Sequence, residues 1–326
     1  SLLAFAEARK DKAKDPGETN IDLVYKRSTD NGRTWSAMQT IEHPGAGNPS
    51  AITDRQTGRV WLVYLRSKLG CTTSTARPCT DDNQTIARTS DDNGITWSDP
   101  IDLTAIARDM QDSKWRTTVV GPGGMIQDSK GRLIAAAWRF RDVTEVFAIF
   151  SEDHGSAWQR GQIADLYLEG THSPNEDQLM ELADGRILLD CRDECTGYRL
   201  LAESDDGGRT WGKFRKGPPA SPVACAIERY TLKSAGDDRD RILWTGPKGL
   251  DATVAPTWSN GRNNLVARVS YDEGLTFPVE RLIAAGGAAY SDLAILKDKS
   301  AGVLWERADY AHSAFTRLTR EFLEPR

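Results

Sequence analysis

The sequence predicts an all-β chain built by radial repetition of one small antiparallel sheet. Three observations predict it. An eight-residue pattern, Ser-x-Asp-x-Gly-x-Thr-Trp, occupies Ser28–Trp35 and returns in copies that begin at Ser90, Ser151, Ser204 and Ser270. The copies lie 53 to 66 residues apart, a spacing that marks a repeat architecture. An apolar, strand-like run precedes the copies, as in Ile21–Tyr25, Val146–Phe150 and Leu265–Val269. No Pro/Ser/Gly tract, charge run or low-complexity stretch reads as a linker, so residues 1–326 are expected to form one domain.

The motif itself reads as a hairpin turn. Its Gly accepts a positive φ, and the short Asp side chain accepts hydrogen bonds from nearby backbone N–H groups. Trp, or Phe277 in the last copy, supplies an apolar plug between neighbouring sheets. A single Asp-Gly turn is common hairpin vocabulary. Five spaced copies are not, and the motif is read as structural rather than catalytic.

In chain order, Leu2–Arg9 is a strand whose terminal Arg9 is followed by a polar loop, Lys10–Asn20, with Asp15 fixed at the Pro16-Gly17 turn. The chain opens mid-strand at Ser1, so the natural protein is expected to start further upstream. The second repeat has strands at Gly58–Tyr64 and Gln84–Arg88, separated by a long loop, Lys68–Asp82, of the kind that shapes a site. The third carries Trp115-Arg116, then Gly121-Pro-Gly-Gly124, which lacks the Lys-Ser/Thr of a phosphate loop and reads as close backbone packing. In the fourth, Asn175-Glu176 and Arg192 are expected at matching ends of a hairpin that turns at Asp184-Gly185. The fifth ends in Trp258 and Arg262, and the last segment holds Tyr290-Ser-Asp292 and a strand through Glu306. The tail, 308–326, reads as a helix or as an outer strap.

Composition narrows the function. Net charge is −5 with the basic residues interspersed among acidic ones, which argues against a nucleic-acid partner. No apolar run approaches the length of a membrane span. The four His have no ligand spacing, so no metal site and no cofactor is expected. Cys71 and Cys79 flank the long loop at a spacing that suits a loop-closing disulfide, whereas Cys191, Cys195 and Cys225 read as buried thiols or a second pair. Asn83-Gln-Thr85 is a glycosylation sequon. Both signals favour an extracellular, secreted protein.

By residue type alone, Tyr290 reads as a half-buried strand tyrosine, and Glu176 with Arg192 as an ion pair across a hairpin. Arg262 reads as a solvated turn residue, and Asp15 as a loop acid. Their joint order changes the reading. Together with Leu2–Arg9, the five copies of the motif and Leu304-Trp-Glu306, these residues make the whole chain resemble the sialidases (exo-α-neuraminidases) of the bacterial, fungal and animal glycoside hydrolase type. The resemblance implies a six-bladed β-propeller with Asp-box turns, and a site at one mouth of its axis.

It also implies a mechanism. Arg192 and Arg262 match two of three arginines that clamp the substrate carboxylate by charge-assisted hydrogen bonds. The first arginine of the family belongs to an Arg-Ile-Pro motif upstream of Leu2. Its absence here is expected to reflect a truncated sequence, and Glu306 matches the acid that orients it. Tyr290 matches the nucleophile, Glu176 its general base and Asp15 the general acid. Arg9 would hold a ring substituent or the Asp15 loop. Trp258 would stack on the aglycone or pack. Trp115, Arg116, Trp138 and Arg139 would line a substituent pocket or pack. The function so implied is that of a retaining exo-sialidase that hydrolyses terminal α-linked sialic acid, N-acetylneuraminic acid or a relative such as Kdn, from sialylated glycoconjugates. A sialoglycan-binding propeller without catalysis, a trans-sialidase and an interaction scaffold are the alternatives.

Overall fold

A computed structural model describes residues 1–9, 21–248, 261–307 and 312–325. Among the described residues the chain is β-structured apart from three short helical turns. It divides into two compact units, one of residues 1–164 and 207–210 and one of residues 165–206 and 211–326.

The first unit holds three meandering antiparallel sheets. These are β1 (Leu2–Arg9), β2 (Ile21–Ser28) and β3 (Gln39–Glu42); then β4 (Ala46–Thr53), β5 (Val60–Ser67), β6 (Asn83–Ser90) and β7 (Ile101–Asp102); then β8 (Thr117–Gln127), β9 (Leu133–Phe140), β10 (Thr144–Ser151) and β11 (Gln159–Arg160). The second unit holds a four-stranded sheet, β12 (Pro174–Glu181), β13 (Ile187–Asp193), β14 (Tyr198–Ser204) and β15 (Arg215–Pro219). Its other sheet has six strands: β16 (Ala226–Thr231), β17 (Arg241–Pro247), β18 (Asn263–Ser270), β19 (Val279–Ile295), β20 (Ala301–Arg307) and β21 (His312–Leu318).

The expected six blades are therefore five sheets. The cause is β19, seventeen residues long, whose first half pairs with β18 and whose second half pairs with β20. One unbroken strand fuses what would otherwise be two sheets. Of the two readings of the tail, the outer one fits better: among its described residues the main element is β21, paired along its length with β20 at the end of the sheet, and helix is confined to Arg320–Leu323.

The repeated motif folds as its chemistry requires. In the first copy Ser28 Oγ donates to Asp30 Oδ1 at 2.8 Å and receives the Gly32 N–H at 2.9 Å. Asp30 then accepts from the Thr34 N–H at 2.9 Å and the Thr34 hydroxyl at 2.6 Å. Those Thr34 bonds, with that from Ser28, hold the Asp30 carboxyl well below the usual range. The same set closes Ser90–Thr96 and Ser270–Thr276. The apolar plugs pack as expected: Trp97 meets Phe5 and Tyr25 edge-on at 5.9 and 5.8 Å, and Trp158 meets Trp61 at 5.6 Å. Each tryptophan thus reaches from its own sheet to the preceding one. At Gly155 an added Cβ would lie 2.0 Å from Trp61 Cζ2, so the glycine is what lets that ring approach.

The long loop of residues 68–82 behaves differently from expectation. Cys71 and Cys79 are free thiols. The loop is closed instead by the bond from Lys68 N–H to Asp82 O at 2.8 Å and by two Arg77–Asp82 contacts of 2.8 Å. The sequon fails as well. Asn83 is buried, and its Nδ2 donates to Thr72 O and Thr117 Oγ1, leaving no exposed amide for a glycan. The Gly121–Gly124 stretch does pack closely, since a Cβ on Gly121 would stand 2.0 Å from Ser50 Oγ. No helix is long and apolar enough to cross a membrane among the described residues.

Candidate active site

Two β-bulges in the second unit build the site. In the β12–β13 ladder Asn175 faces Arg192 and Asp177 faces Cys191, so Glu176 is an extra residue without a partner. Its φ is +28°, outside the region that β-strand residues occupy. A bulge re-aims a side chain, and here the Glu176 carboxylate meets the Arg192 guanidinium and the Tyr290 hydroxyl. In the β19–β20 ladder Ala288 faces Arg307 and Ser291 faces Trp305, leaving Ala289 and Tyr290 opposite Glu306. The Tyr290 N–H that the bulge frees donates to Glu306 Oε2 at 3.3 Å.

The charges converge on the phenol. Arg192 is nearly buried, and its Nη1 donates to both Glu176 Oε2 and Tyr290 Oη, the latter at 3.1 Å. The Arg262 guanidinium carbon lies 5.7 Å from the centre of the Tyr290 ring, and Arg262 Nη2 donates to Pro222 O at 3.3 Å. Burial, then the negative charge of Glu176, pushes the Tyr290 phenol well above its usual range, against the pull of Arg192 and Arg262. Burial would lower Arg192, but Glu176, Tyr290 and Glu194 outweigh it and hold the guanidinium above its usual value. The phenol therefore keeps its proton, and the carboxylate that can receive it is already hydrogen-bonded to it. The arrangement suits nucleophilic attack with proton removal beside a cationic receptor for an anion.

The structure thus brings together Glu176, Arg192, Arg262, Tyr290 and Glu306. Of the other expected residues, those that are described belong to the first unit. Arg9, at the end of β1 in the first unit, pairs with Glu7 at 2.7 Å. Trp115, also in the first unit, is buried with Arg139 and Arg160 over its ring at 4.4 and 4.9 Å. Its indole N–H donates to Thr117 O and Thr118 Oγ1, both at 3.0 Å. Trp138 donates to Gly121 O at 3.3 Å, and Arg139 pairs with Glu145. Arg116 is half-buried. Asp15 and Trp258 lie outside the described residues. Among the described residues no group of three or more His, Cys, Asp or Glu is placed to hold a metal ion.

Three further features surround the site. Glu194 Oε1 receives Arg192 Nη2 and Asn175 Nδ2, each at 2.9 Å. Its spacing of two from Arg192 is the signal the sequence offers, since extended residues two apart share a face, although Glu194 itself lies one residue past the end of β13. The carboxylate of Asp193 accepts from Ser173 N–H, Cys195 N–H and the Thr196 hydroxyl, and lies 2.7 Å from His172 Nδ1, both side chains being buried. It fixes the turn that follows Arg192. Asp177, behind Glu176, is fully buried, and no other residue offers a hydrogen bond to either of its oxygens.

Several known proteins are similar to this chain over most of its length. A family described as BNR repeat-like domain matches residues 1–303. The chain is 32% identical over 332 residues to a sialidase of Micromonospora viridifaciens, across 94% of this chain and 47% of that protein. It is 29% identical to a sialidase of Bacteroides fragilis strain YCH46, across 97% of this chain and 59% of that protein. Among solved structures it is similar to the Hadza microbial sialidase Hz136, with a TM-score of 0.85 and 25% identity over 98% of this chain and 63% of that one. The chain spans about half the length of the curated relatives it matches.

Proposed function

Since the chain belongs to the sialidase family, through its BNR repeat-like domain, we propose that it is a retaining exo-sialidase acting on sialylated glycans. One observation carries the reading: a tyrosine hydroxyl hydrogen-bonded to a carboxylate, with an arginine donating to both. Sialic acid bears a carboxylate on its anomeric carbon. A carboxylate nucleophile would approach against that charge, whereas a neutral phenol does not, which is the physical case for tyrosine in place of the usual second acid.

Arg192 and Arg262 bind the substrate carboxylate beside Tyr290. As the Tyr290 oxygen bonds to the anomeric carbon, its proton passes to Glu176 and the bond to the leaving oxygen breaks. Asp15 supplies the proton that the leaving oxygen takes up. Water then attacks the glycosyl-tyrosine with Asp15 as base, and the phenol recovers its proton from Glu176. Two inversions at one carbon give net retention. Glu306 supports the chemistry by holding the backbone of the Tyr290 bulge.

Aryl α-glycosides of N-acetylneuraminic acid and of Kdn test the reading, with this chain beside its Tyr290→Phe and Asp15→Ala variants. Fluorophore release by the parent chain that collapses in Tyr290→Phe is the expected result, and the first-formed sugar in an NMR time course is the α-anomer. Asp15→Ala retains more activity on these good leaving groups than on a natural glycan. Full activity in Tyr290→Phe refutes the mechanism, and silence of the parent chain refutes the activity.

A further inference from the structure

We propose that Glu194 is a positioning residue that holds the clamp arginine, Arg192, in place through the catalytic cycle. The inference rests on the sialidase reading above. The Arg192 side chain has a terminal nitrogen at each corner of its guanidinium. One, Nη1, is taken by the reacting pair Glu176 and Tyr290. The other, Nη2, is held by Glu194 Oε1 at 2.9 Å. That same oxygen receives Asn175 Nδ2 at 2.9 Å, and Asn175 is the ladder partner of Arg192 next to the Glu176 bulge. Glu194 therefore ties the arginine to the strand that carries the base, and does so without touching the reacting atoms.

The two anchors differ in constancy. When Tyr290 gives its proton to Glu176, the carboxylate facing Nη1 becomes neutral and the phenol oxygen becomes covalently engaged. The Arg192–Glu176 ion pair is lost at that moment, and the arginine must still face the substrate carboxylate until water arrives. Glu194 takes no part in the proton transfer, so its charge stays opposite Nη2 throughout. A guanidinium fixed at one corner and in its plane keeps the fork geometry that bidentate recognition of a carboxylate needs. The backbone supports Glu194 in turn: its N–H donates to Ser173 O at 3.2 Å, and the next residue, Cys195, is bonded to Asp193 Oδ1. The Glu194 side chain is 39% exposed, so it is replaceable without opening the core.

Kinetics on the aryl sialoside test this in the parent chain and in the Glu194→Ala and Glu194→Gln variants, with melting curves to show that all three fold alike. Loss of a hydrogen bond to a charged partner corresponds to about a tenfold effect. Glu194→Ala is expected to raise KM by that factor with a smaller fall in kcat, and Glu194→Gln, which still offers an oxygen to Nη2, to recover most of the loss. Unchanged KM in Glu194→Ala overturns the proposal while leaving the sialidase reading intact. So does a lower KM in Glu194→Gln, which would mean that Glu194 competes with the substrate carboxylate. A parent chain that turns over no sialoside overturns both.

Discussion

Replacing Asp177 with asparagine should make this protein more stable, and increasingly so as pH rises. Asp177 is fully buried, and no other residue offers a hydrogen bond to either of its oxygens. Burial above all, with the charges of Glu176 and Asp190 added and its own backbone N–H and Arg199 opposing, pushes its carboxyl up to about 8. In the unfolded chain the group releases its proton near the ordinary value of 3.8. Between those two values the folded state holds a proton that the unfolded state has lost, so stability falls as pH rises through that window and levels off above it. The slope is about 1.4 kcal/mol per pH unit, which places the loss at pH 7 near 4 kcal/mol. Asparagine has nearly the same shape and no proton to lose, so Asp177→Asn removes the slope. Urea unfolding of parent and variant at several pH values from 4.5 to about 7.5 reads the difference directly. A difference in unfolding free energy that widens toward high pH is the expected result. A difference that stays flat across the range would mean that Asp177 is ionised in the fold, and would refute the reasoning.

Other consequences are as direct. Glu176→Gln should lower kcat by about 10²- to 10⁴-fold, the usual cost of losing a general base. It should also let Tyr290 titrate at lower pH in a spectrophotometric titration, since the Glu176 charge helps to raise the phenol. Gly155→Ala combines a φ of +88° with a Cβ 2.0 Å from Trp61 and should cost about 2–5 kcal/mol in thermal melting. Gly185→Ala, at φ +87° with nothing within 4 Å, should cost only the backbone share of about 1–2 kcal/mol, and equal losses would refute the packing argument. Asp193→Ala leaves Ser173 N–H, Cys195 N–H and His172 without their acceptor, and should destabilise by about 3 kcal/mol in urea unfolding while raising KM through the loosened turn after Arg192.

Much of the site was legible before any coordinates, though unevenly. Tyr290, Glu176, Arg192, Arg262 and Glu306 were singled out by their order along the chain, and they meet in the second unit. Nothing in the residues announced the two bulges that bring them together. A bulge is a mismatch between two strands, and β12 can acquire one at Glu176 only because β13 pairs with it in a particular register. Glu194 is harder to read, because it lies one residue past the end of β13 and owes its contact with Arg192 to the turn that follows the strand.

What the sequence determined alone is what closes within a few residues. The repeated turn is such a case: Ser28, Asp30, Gly32 and Thr34 satisfy one another, and no distant group is needed to hold them. The hairpin at Asp184-Gly185 is another, with Leu182 and Arg186 bonded across it. Tertiary structure decided whatever depends on partners far along the chain. Asn83 has the sequence of a glycan acceptor, yet Thr117 brought from β8 takes its amide. The tail has no strong strand pattern, yet the open edge of β20 draws it into the ladder as β21. Two sheets became one because β19 finds a partner along both halves of its length. Local hydrogen bonds are encoded where they are made, whereas register, burial and the edge of a sheet exist only once separate segments have met.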